Sequence, residues 1–202
     1  MTRLLGRIAL VTLVAGVMLG TSMPALAVSC STIGSIGAWQ AAGSCDLGDK
    51  TFTFEASSLG ADFGVSFLQS GSAYSFNLDD NLTGDATIEY SITVTDPHFR
   101  IVSAELDSNV LNGNPFGTTS VFKDIEGIET LTSTNGSTDQ SNPMSQTTLH
   151  ITDRIDVAPG DTIIGLNNTF TQALARVPEP ATLTLLGAGL LGISLASRRR
   201  RG

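Results

Sequence analysis

The stretch of the chain that most resembles a chemical site is residues 79–85, Asp-Asp-Asn-Leu-Thr-Gly-Asp. Aligned with a calcium-binding loop, it places oxygen-bearing side chains at positions 1, 3 and 5 and glycine at position 6: Asp79, Asn81, Thr83 and Gly84. Position 12 of such a loop is a bidentate glutamate, but here it is Tyr90. This excludes an EF-hand, and a turn between two strands accounts for the same residues. We expect no cofactor, although calcium held by loop carboxylates in another geometry stays open.

The sequence offers little material for catalysis. Its only histidines are His98, which follows a proline at a strand entrance, and His150, which shares a polar strand face with Thr152 and Arg154. The nucleophile elbow, the zinc-protease motif and the phosphate-binding loop do not occur in it. Pairs of carboxylates could serve a glycosidase, but so acidic a chain brings carboxylates together by chance. We therefore predict that the protein is not an enzyme.

One carboxylate is unusual because it falls on an apolar strand face. Residues 149–157 alternate between apolar and polar side chains, and Asp153 takes the place of an apolar residue. A β-bulge or an edge position would expose it, and this is the interpretation that the sequence favours. The alternative is a buried carboxylate at a functional site.

The two cysteines of the chain, Cys30 and Cys45, are predicted to form a disulfide. An even pair in an exported protein usually does so, and a metal site would need further Cys or His nearby. The loop between them contains Trp39, the only tryptophan, which we expect to pack at the edge of the core.

The elements that must position these residues are strands. Alternation with period two predicts five strands, over residues 51–56, 74–78, 87–95, 99–106 and 149–157. The strand at 99–106 has either a bulge or two buried sides, and the strand at 149–157 carries Asp153. The clearest of these strands is 87–95, and its apolar face consists of Ile88, Tyr90, Ile92 and Val94. Residues 130–148 are Thr-, Ser- and Asn-rich and indicate a mobile loop or hairpin tip. The sequence predicts a mainly β fold, an antiparallel β-sandwich of jelly-roll or Ig-like type, with no amphipathic helix of useful length.

The N-terminal 27 residues are predicted to be a secretory signal peptide. Arg3 and Arg7 precede an apolar run, and Ala25 and Ala27 stand at the −3 and −1 positions of a cleavage site. The Sec translocon and signal peptidase are the partners this implies, and the mature chain would begin at Val28.

The C-terminal end is predicted to be a single transmembrane helix. Ala181–Ala196 has no charged residue, and its helical length of roughly 24 Å approaches the roughly 30 Å hydrocarbon core. The cluster that follows resists translocation and would keep the C-terminus cytoplasmic: Arg198, Arg199, Arg200 and Arg201. The body would then lie outside the cytoplasm, anchored in the inner membrane.

The residues before this helix are Val177, Pro178, Glu179 and Pro180. Followed by a Gly/Leu-rich segment and an arginine block, they resemble the PEP-CTERM sorting signal of Gram-negative bacteria over residues 177–202. The resemblance implies processing near the Pro-Glu-Pro by a membrane-embedded exosortase. It also implies a destination at the cell surface or outside the cell, in bacteria that make exopolysaccharide.

The predicted domain organisation is a signal peptide at 1–27, an exported body at 28–176 and a sorting signal at 177–202. The body holds 5 of the 11 basic and 18 of the 19 acidic residues, so nucleic acid is not expected as a partner. We predict a structural or adhesive role at the cell surface or in the matrix, associated with exopolysaccharide or biofilm. The alternatives are a carbohydrate-binding module, with or without the help of calcium, and then a secreted hydrolase.

Overall fold

A computed structural model describes residues 28–113 and 117–175. The predicted signal peptide, including Ala25 and Ala27, and the predicted sorting motif, transmembrane helix and arginine cluster lie outside the described residues. In the described part of the chain, no helix combines the length and the apolar character needed to cross a membrane.

The body is a sandwich of two β-sheets. Along the described residues the strands are β1 Val28–Ser29, β2 Ser44–Leu47, β3 Lys50–Ser57, β4 Val65–Ser70, β5 Ala73–Leu78, β6 Ala86–Val94, β7 Phe99–Leu111, β8 Ser120–Ile125, β9 Glu129–Thr134, β10 Thr138–Gln140, β11 Thr148–Asp156 and β12 Thr162–Leu174. A seven-stranded sheet has the order β1-β2-β3-β6-β11-β8-β9, and a five-stranded sheet has the order β10-β7-β12-β5-β4. All pairs are antiparallel except the short β1 with β2. The predicted mainly β, sandwich-like body is confirmed.

Strand β6 shows how the sequence pattern produces the seven-stranded sheet. It lies between β3 and β11, and Ile88, Tyr90, Ile92 and Val94 are all buried, as predicted. Because side chains alternate between the two faces of a strand, this period-two pattern places one apolar row against the opposite sheet. The predicted bulge in β7 is also present. It lies at Val102, where the register with β12 shifts by one residue.

The prediction of a loop or hairpin tip over 130–148 was wrong for its first half. Strand β9 covers Glu129–Thr134, and β10 forms the edge of the five-stranded sheet. Leu131 and Ser133 are buried, and the Ser133 hydroxyl lies 2.6 Å from that of Ser108 across the sandwich. Threonine and serine are compatible with strands when other parts of the fold form hydrogen bonds with their hydroxyls, so a polar composition is not sufficient to identify a loop.

The N-terminal segment packs a short helix against one end of the core. Helix α1, Ile36–Ala42, begins after Ser35, whose Oγ accepts a hydrogen bond from the Ala38 N–H at 3.3 Å, and ends at Gly43 with φ of 72°. The sequence did not predict this helix. The predicted disulfide between Cys30 and Cys45 is confirmed, with both cysteines buried, and it closes the loop that carries α1.

The sequence predicted that Trp39 packs at the edge of the core, but it lies at the centre of an aromatic cluster. Its side chain is fully buried, and its ring lies 5.0 Å from both Phe67 and Phe76 and 5.9 Å from Tyr90, centroid to centroid. The indole N–H donates to the Phe52 carbonyl at 3.4 Å. This packing accounts for the tryptophan as a core residue.

Candidate functional site

Asp153 is buried in the middle of the seven-stranded sheet. Strand β11 pairs with β6 on one side and β8 on the other without a register shift, and the Asp153 side chain has no exposed surface. The favoured interpretation, a bulge or an edge position, was therefore wrong. The alternative of a buried carboxylate is the one observed. Its cross-strand partner on β8 is Lys123, which is also fully buried.

Four polar side chains meet between the two sheets, and we call them the Lys123 cluster: Tyr90, Lys123, Asp153 and Asn168. The Lys123 Nζ lies 3.6 Å from Asp153 Oδ1 and 3.2 Å from the Tyr90 hydroxyl, and it donates a hydrogen bond to Asn168 Oδ1. The Tyr90 hydroxyl donates to Asp153 Oδ2 at 3.3 Å. The first three residues belong to the seven-stranded sheet, whereas Asn168 lies on β12 of the five-stranded sheet. The cluster therefore connects the sheets.

Burial shifts the proton affinities in this cluster. It lowers the pKa of Lys123 to about 8, against the opposing effect of the Asp153 charge. It raises the pKa of Asp153, which the Lys123 charge and hydrogen bonds from its neighbours partly offset, and it raises that of Tyr90 well above its usual value. Because burial disfavours both charged forms, the free-energy difference between the ion pair and the neutral amine–acid pair becomes smaller than it is in water.

Two atoms of the Lys123 cluster lack a hydrogen-bond partner within the protein. They are Asp153 Oδ1, which lies 3.6 Å from the Lys123 Nζ, and Asn168 Nδ2, which interacts only weakly with the Asp153 carboxyl group. The ring of Phe170 lies 4.9 Å from the Lys123 Nζ, so the remaining surroundings are aromatic. Unpaired polar atoms in such surroundings are costly and uncommon.

A second set of side chains, the Lys50 cluster, repeats the same groups: Asp49, Lys50, Tyr74 and Gln172. The Lys50 Nζ lies 2.8 Å from Asp49 Oδ1 and donates to Gln172 Oε1. The Tyr74 hydroxyl donates to Asp49 Oδ1 at 2.5 Å and accepts from Gln172 Nε2 at 3.1 Å. Burial alone would raise the pKa of Asp49, but the hydrogen bonds from Lys50 and Tyr74 and the lysine charge lower it. Asp49 therefore remains a carboxylate.

Lys50 and Lys123 are the only lysines in the sequence, and both are buried. Each starts from the seven-stranded sheet and reaches a carboxamide on β12, with Phe170 between Asn168 and Gln172 in the sequence. Sequence reasoning did not single out either lysine. A signal was present, because Lys123 stands between Val121 and Ile125 in the inward phase of its strand, as Asp153 does in its own.

The outer face of the five-stranded sheet carries a row of polar residues that crosses every strand in register: Ser66, Asn77, Asn167, Asp107 and Thr138. A pocket of about 270 Å³ opens on this face beside Asn77, Asp107 and Asn167, with Ile164 as an exposed apolar wall. Asn77 Oδ1 is buried and has no hydrogen-bond partner within the protein. The pocket therefore offers amide and carboxylate groups beside a small apolar surface.

The carboxylates of the stretch 79–85 bind neighbouring segments of the protein. Asp80 Oδ2 accepts from the Gly64 N–H at 2.5 Å, and Asp85 Oδ1 accepts from the Val157 N–H at 2.8 Å. The stretch carries the chain from β5 to β6 and so passes from one sheet to the other. Among the described residues, no group of three or more His, Cys, Asp or Glu side chains is placed to hold a metal ion. The expectation of no cofactor, and the alternative of calcium held by loop carboxylates, both stay untested.

The two histidines lie on the surface and apart from both lysine clusters. His150 is on the outer face of β11, with Nδ1 at 3.1 Å from Glu55 Oε1, and both side chains are substantially exposed. His98 is exposed at the start of the β7 region, where its carbonyl accepts from the Ala175 N–H at 2.7 Å. These positions agree with the predicted solvated ones.

The C-terminal segment matches a known family. Residues 176–201 fit the family model of the PEP-CTERM protein-sorting motif. The chain carries a PEP-CTERM sorting signal. The match includes Val177–Pro180 and the cluster Arg198–Arg201, and it identifies an exported protein that exosortase processes. It covers this segment alone and so describes the sorting of the protein and not its β-sandwich.

Similarity of the body to solved structures is weak. TmCBM61 in complex with β-1,4-galactotriose is 12% identical, with 64% of this chain and 85% of that chain covered and a TM-score of 0.30. A cupin-like protein from Thermotoga maritima is 10% identical, with coverages of 64% and 82% and a TM-score of 0.28. A family 29 carbohydrate-binding module complexed with mannohexaose is 19% identical, with coverages of 61% and 92% and a TM-score of 0.22. Scores this low carry no argument about function, and among curated proteins none matches the chain significantly.

Proposed function

We propose that this protein is a structural or adhesive component of the cell surface or extracellular matrix, associated with exopolysaccharide or biofilm. The observation that carries the proposal is the PEP-CTERM signal at residues 176–201, attached to a β-sandwich body with a disulfide. After export the C-terminal helix would hold the protein in the inner membrane until exosortase acts near Pro178–Pro180. The body would then reach the surface or the medium.

The construction of the body supports a role that demands persistence outside the cell. The disulfide between Cys30 and Cys45 fixes the N-terminal segment, and the Lys50 and Lys123 clusters connect the two sheets. The Lys123 cluster, whose polar groups are best suited to chemistry, lies between the sheets and has no exposed surface. We therefore propose a non-enzymatic role without a resident cofactor.

The intact mass of the protein isolated from its native host tests the sorting part of this proposal. We expect a chain that starts at Val28, ends near Pro178–Pro180 and is two hydrogens lighter because of the disulfide. A Pro178→Ala/Pro180→Ala variant should stay in the membrane fraction with its C-terminus intact. A wild-type chain that still ends at Arg201-Gly202 in the membrane would make the tail a plain anchor.

The matrix part needs a separate measurement. Deleting the protein should reduce the cohesion of the biofilm and the amount of polysaccharide it retains, and a chain carrying the sorting signal should restore both. A secreted version that ends at residue 176 is the matched control, because it keeps the body and loses the sorting. Unchanged matrix mechanics in the deletion strain, with the body free in the medium, would contradict the structural role.

A second candidate function is carbohydrate binding on the outer face of the five-stranded sheet. The observation that favours it is the pocket of about 270 Å³ lined by Asn77, Asp107 and Asn167, whose amide and carboxylate groups suit sugar hydroxyls. A glycan array with and without chelator tests it. Asp107→Ala should abolish saturable binding, and Asp124→Ala on the opposite outer face should not. Binding that both variants retain, or that neither wild type nor control shows, rules the pocket out.

A further inference from the structure

The geometry points to a covalent bond that the protein forms on itself. We propose that the Lys123 Nζ attacks the Asn168 Cγ and forms an isopeptide bond between β8 and β12, with release of ammonia. The bond would join the seven-stranded sheet to the five-stranded sheet through the middle of the core. This inference goes beyond the proposed surface role and does not depend on it.

The reacting groups are already in contact and held by the fold. The Lys123 Nζ donates to Asn168 Oδ1, which places the amine beside the carboxamide carbon. The backbone of Lys123 is fixed by pairing with Asp153, and that of Asn168 by pairing with Leu106 and Phe76 on either side. Fixed proximity of this kind replaces a bimolecular encounter and removes much of the entropic barrier to amide exchange.

The cluster also contains the group that would leave and the group that would transfer protons. Asn168 Nδ2 is buried and makes no hydrogen bond of ordinary length within the protein, and its weaker interaction is with Asp153, the group that would transfer protons. Asp153 lies 3.6 Å from the Lys123 Nζ and accepts a hydrogen bond from Tyr90. A carboxyl group beside both the amine and the amide can act as general base and then as general acid.

The proton balance closes within the cluster. Asp153 takes one proton from the lysine ammonium, and the neutral amine attacks the Asn168 Cγ, so that a carbon–nitrogen bond forms. As this tetrahedral centre collapses, the bond from Cγ to Nδ2 breaks, and ammonia leaves with a second proton that came from the amine. The lysine nitrogen keeps one proton in the new amide, and Asp153 ends protonated. Burial, which raises the pKa of Asp153 and lowers that of Lys123 to about 8, favours this distribution.

The reaction removes two unfavourable features of the core at once. A buried ammonium and an unpaired amide nitrogen are replaced by one neutral secondary amide, while the carboxylate becomes a neutral acid. The surroundings, which include Phe170 at 4.9 Å from the Nζ, exclude water that could hydrolyse the amide instead.

The Lys50 cluster is an internal comparison in which we expect no bond. It contains the same kinds of group, but Asp49 remains a carboxylate and pairs with the Lys50 Nζ at 2.8 Å. Its carboxamide nitrogen, Gln172 Nε2, donates to the Tyr74 hydroxyl at 3.1 Å and is therefore held. Burial lowers the pKa of Lys50 as well, against the opposing effect of Asp49, but the lowered pKa of Asp49 makes it the weaker proton acceptor. The leaving group also stays bonded, so a basic carboxylate and a loosely held amide nitrogen, both present at Lys123, are absent here.

Peptide mapping of the full-length protein tests the proposal. Trypsin cleaves after Lys and Arg, and an acylated Lys123 is not cleaved, so the bond predicts that peptide 101–154 is joined to peptide 155–176. The joined species should be lighter by one ammonia molecule than the sum of its parts. Separate peptides 101–123, 124–154 and 155–176 would overturn the proposal. A closed 101–154 peptide lighter by one water molecule would also overturn it, because that product joins Lys123 to Asp153.

Variants then test the role of Asp153. Asp153→Asn keeps the shape of the side chain but cannot take up the proton, so we expect a folded chain of full mass with free Lys123. Lys50→Arg is the matched control and should leave the ammonia loss at Lys123 unchanged. An Asp153→Asn protein that still shows the joined peptides would refute the assigned proton transfer. The wild-type map remains decisive if this variant does not fold.

Discussion

Removing the disulfide should destabilise the whole sandwich. Cys30 and Cys45 are 15 residues apart, and closing a loop of about 15 residues stabilises by about 3 kcal/mol in the chain-entropy model. Both side chains are buried in the core, so Cys30→Ala/Cys45→Ala is preferable to serine, which would leave hydroxyls in an apolar site. For a domain of this size, a loss of about 3 kcal/mol corresponds to a fall in Tm of roughly 6–12 °C.

The same variant distinguishes a global contribution from a local one. Trp39 is the only tryptophan, it lies within the disulfide loop, and its ring contacts Phe67 and Phe76 of the five-stranded sheet. Because this ring is part of the common core, its fluorescence should report the same urea transition as far-ultraviolet circular dichroism, in the variant as in the wild type. Coincident transitions at lower urea concentration are the expected result.

Two outcomes would refute this reasoning. If Trp39 fluorescence changes at lower urea concentration than circular dichroism does, the disulfide holds only the segment around helix α1 and the sandwich unfolds independently. If the free energy of unfolding falls by less than about 1 kcal/mol by both probes, the loop is already ordered in the unfolded chain, and the chain-entropy model does not apply. Wild-type protein under reducing conditions serves as the control for the alanine substitutions.

Three further perturbations test the packing and the polar clusters. Gly37→Ala should lower the free energy of unfolding by about 1–3 kcal/mol, because the new Cβ would lie 2.8 Å from the Ala61 carbonyl oxygen. Gly60→Ala is the control, since its Cβ would meet open space and should leave the stability unchanged. Urea unfolding measures both variants. The pKa of Asp49 is lower in the folded protein than its value of 3.8 in the unfolded chain, so the ionised carboxylate stabilises the fold above pH 3.8. This stabilisation is lost as the pH falls through the folded-state pKa. The Tm of Asp49→Asn should therefore fall less steeply with acid than the Tm of wild type. Lys123→Met removes the lysine and with it the proposed bond, so it should cost at least about 3–5 kcal/mol by leaving Asp153 without its partner. Lys123→Met/Asp153→Leu, which also lacks the bond, should recover part of this; equal losses in the two variants would contradict a cost from the unpaired carboxyl group.

Sequence reasoning predicted the elements whose residues alternate strictly. Strand β6 has four buried apolar side chains in phase, and the strand is central, so its pattern survives intact. Strand β12, the partner of both β7 and β5, was not predicted, because a register shift near Gly165 changes the phase and because Asn168 interrupts the apolar face. A bulge moves later residues to the other face, and no simple period survives it.

The candidate site was anticipated only through one of its members. Asp153 drew attention because it broke an apolar alternation, but a polar residue in the inward phase has two explanations that sequence alone does not separate. Lys123 and Asn168 break the same rule on their own strands. Three inward polar residues that can pair are better explained by a common cluster than by three separate bulges. Recognising this requires knowing that β8 and β11 are neighbours in one sheet and that β12 lies in the sheet packed against it, which is a property of the topology.

The distribution of charge limits what the body can adhere to. In residues 28–113 and 117–175 both lysines are buried, so the cationic side chains available at the surface are Arg100 and Arg154. Asp153 and Asp161 are buried as well, so the surface keeps the strongly negative net charge of the composition, and an anionic polysaccharide should be repelled at low ionic strength. An adhesive body of this kind should bind neutral glycans directly and anionic ones only through a divalent cation. Retention on an anionic polysaccharide column in low salt with EDTA would contradict this expectation, whereas retention that requires calcium, or that occurs only on neutral glycan, would agree with it.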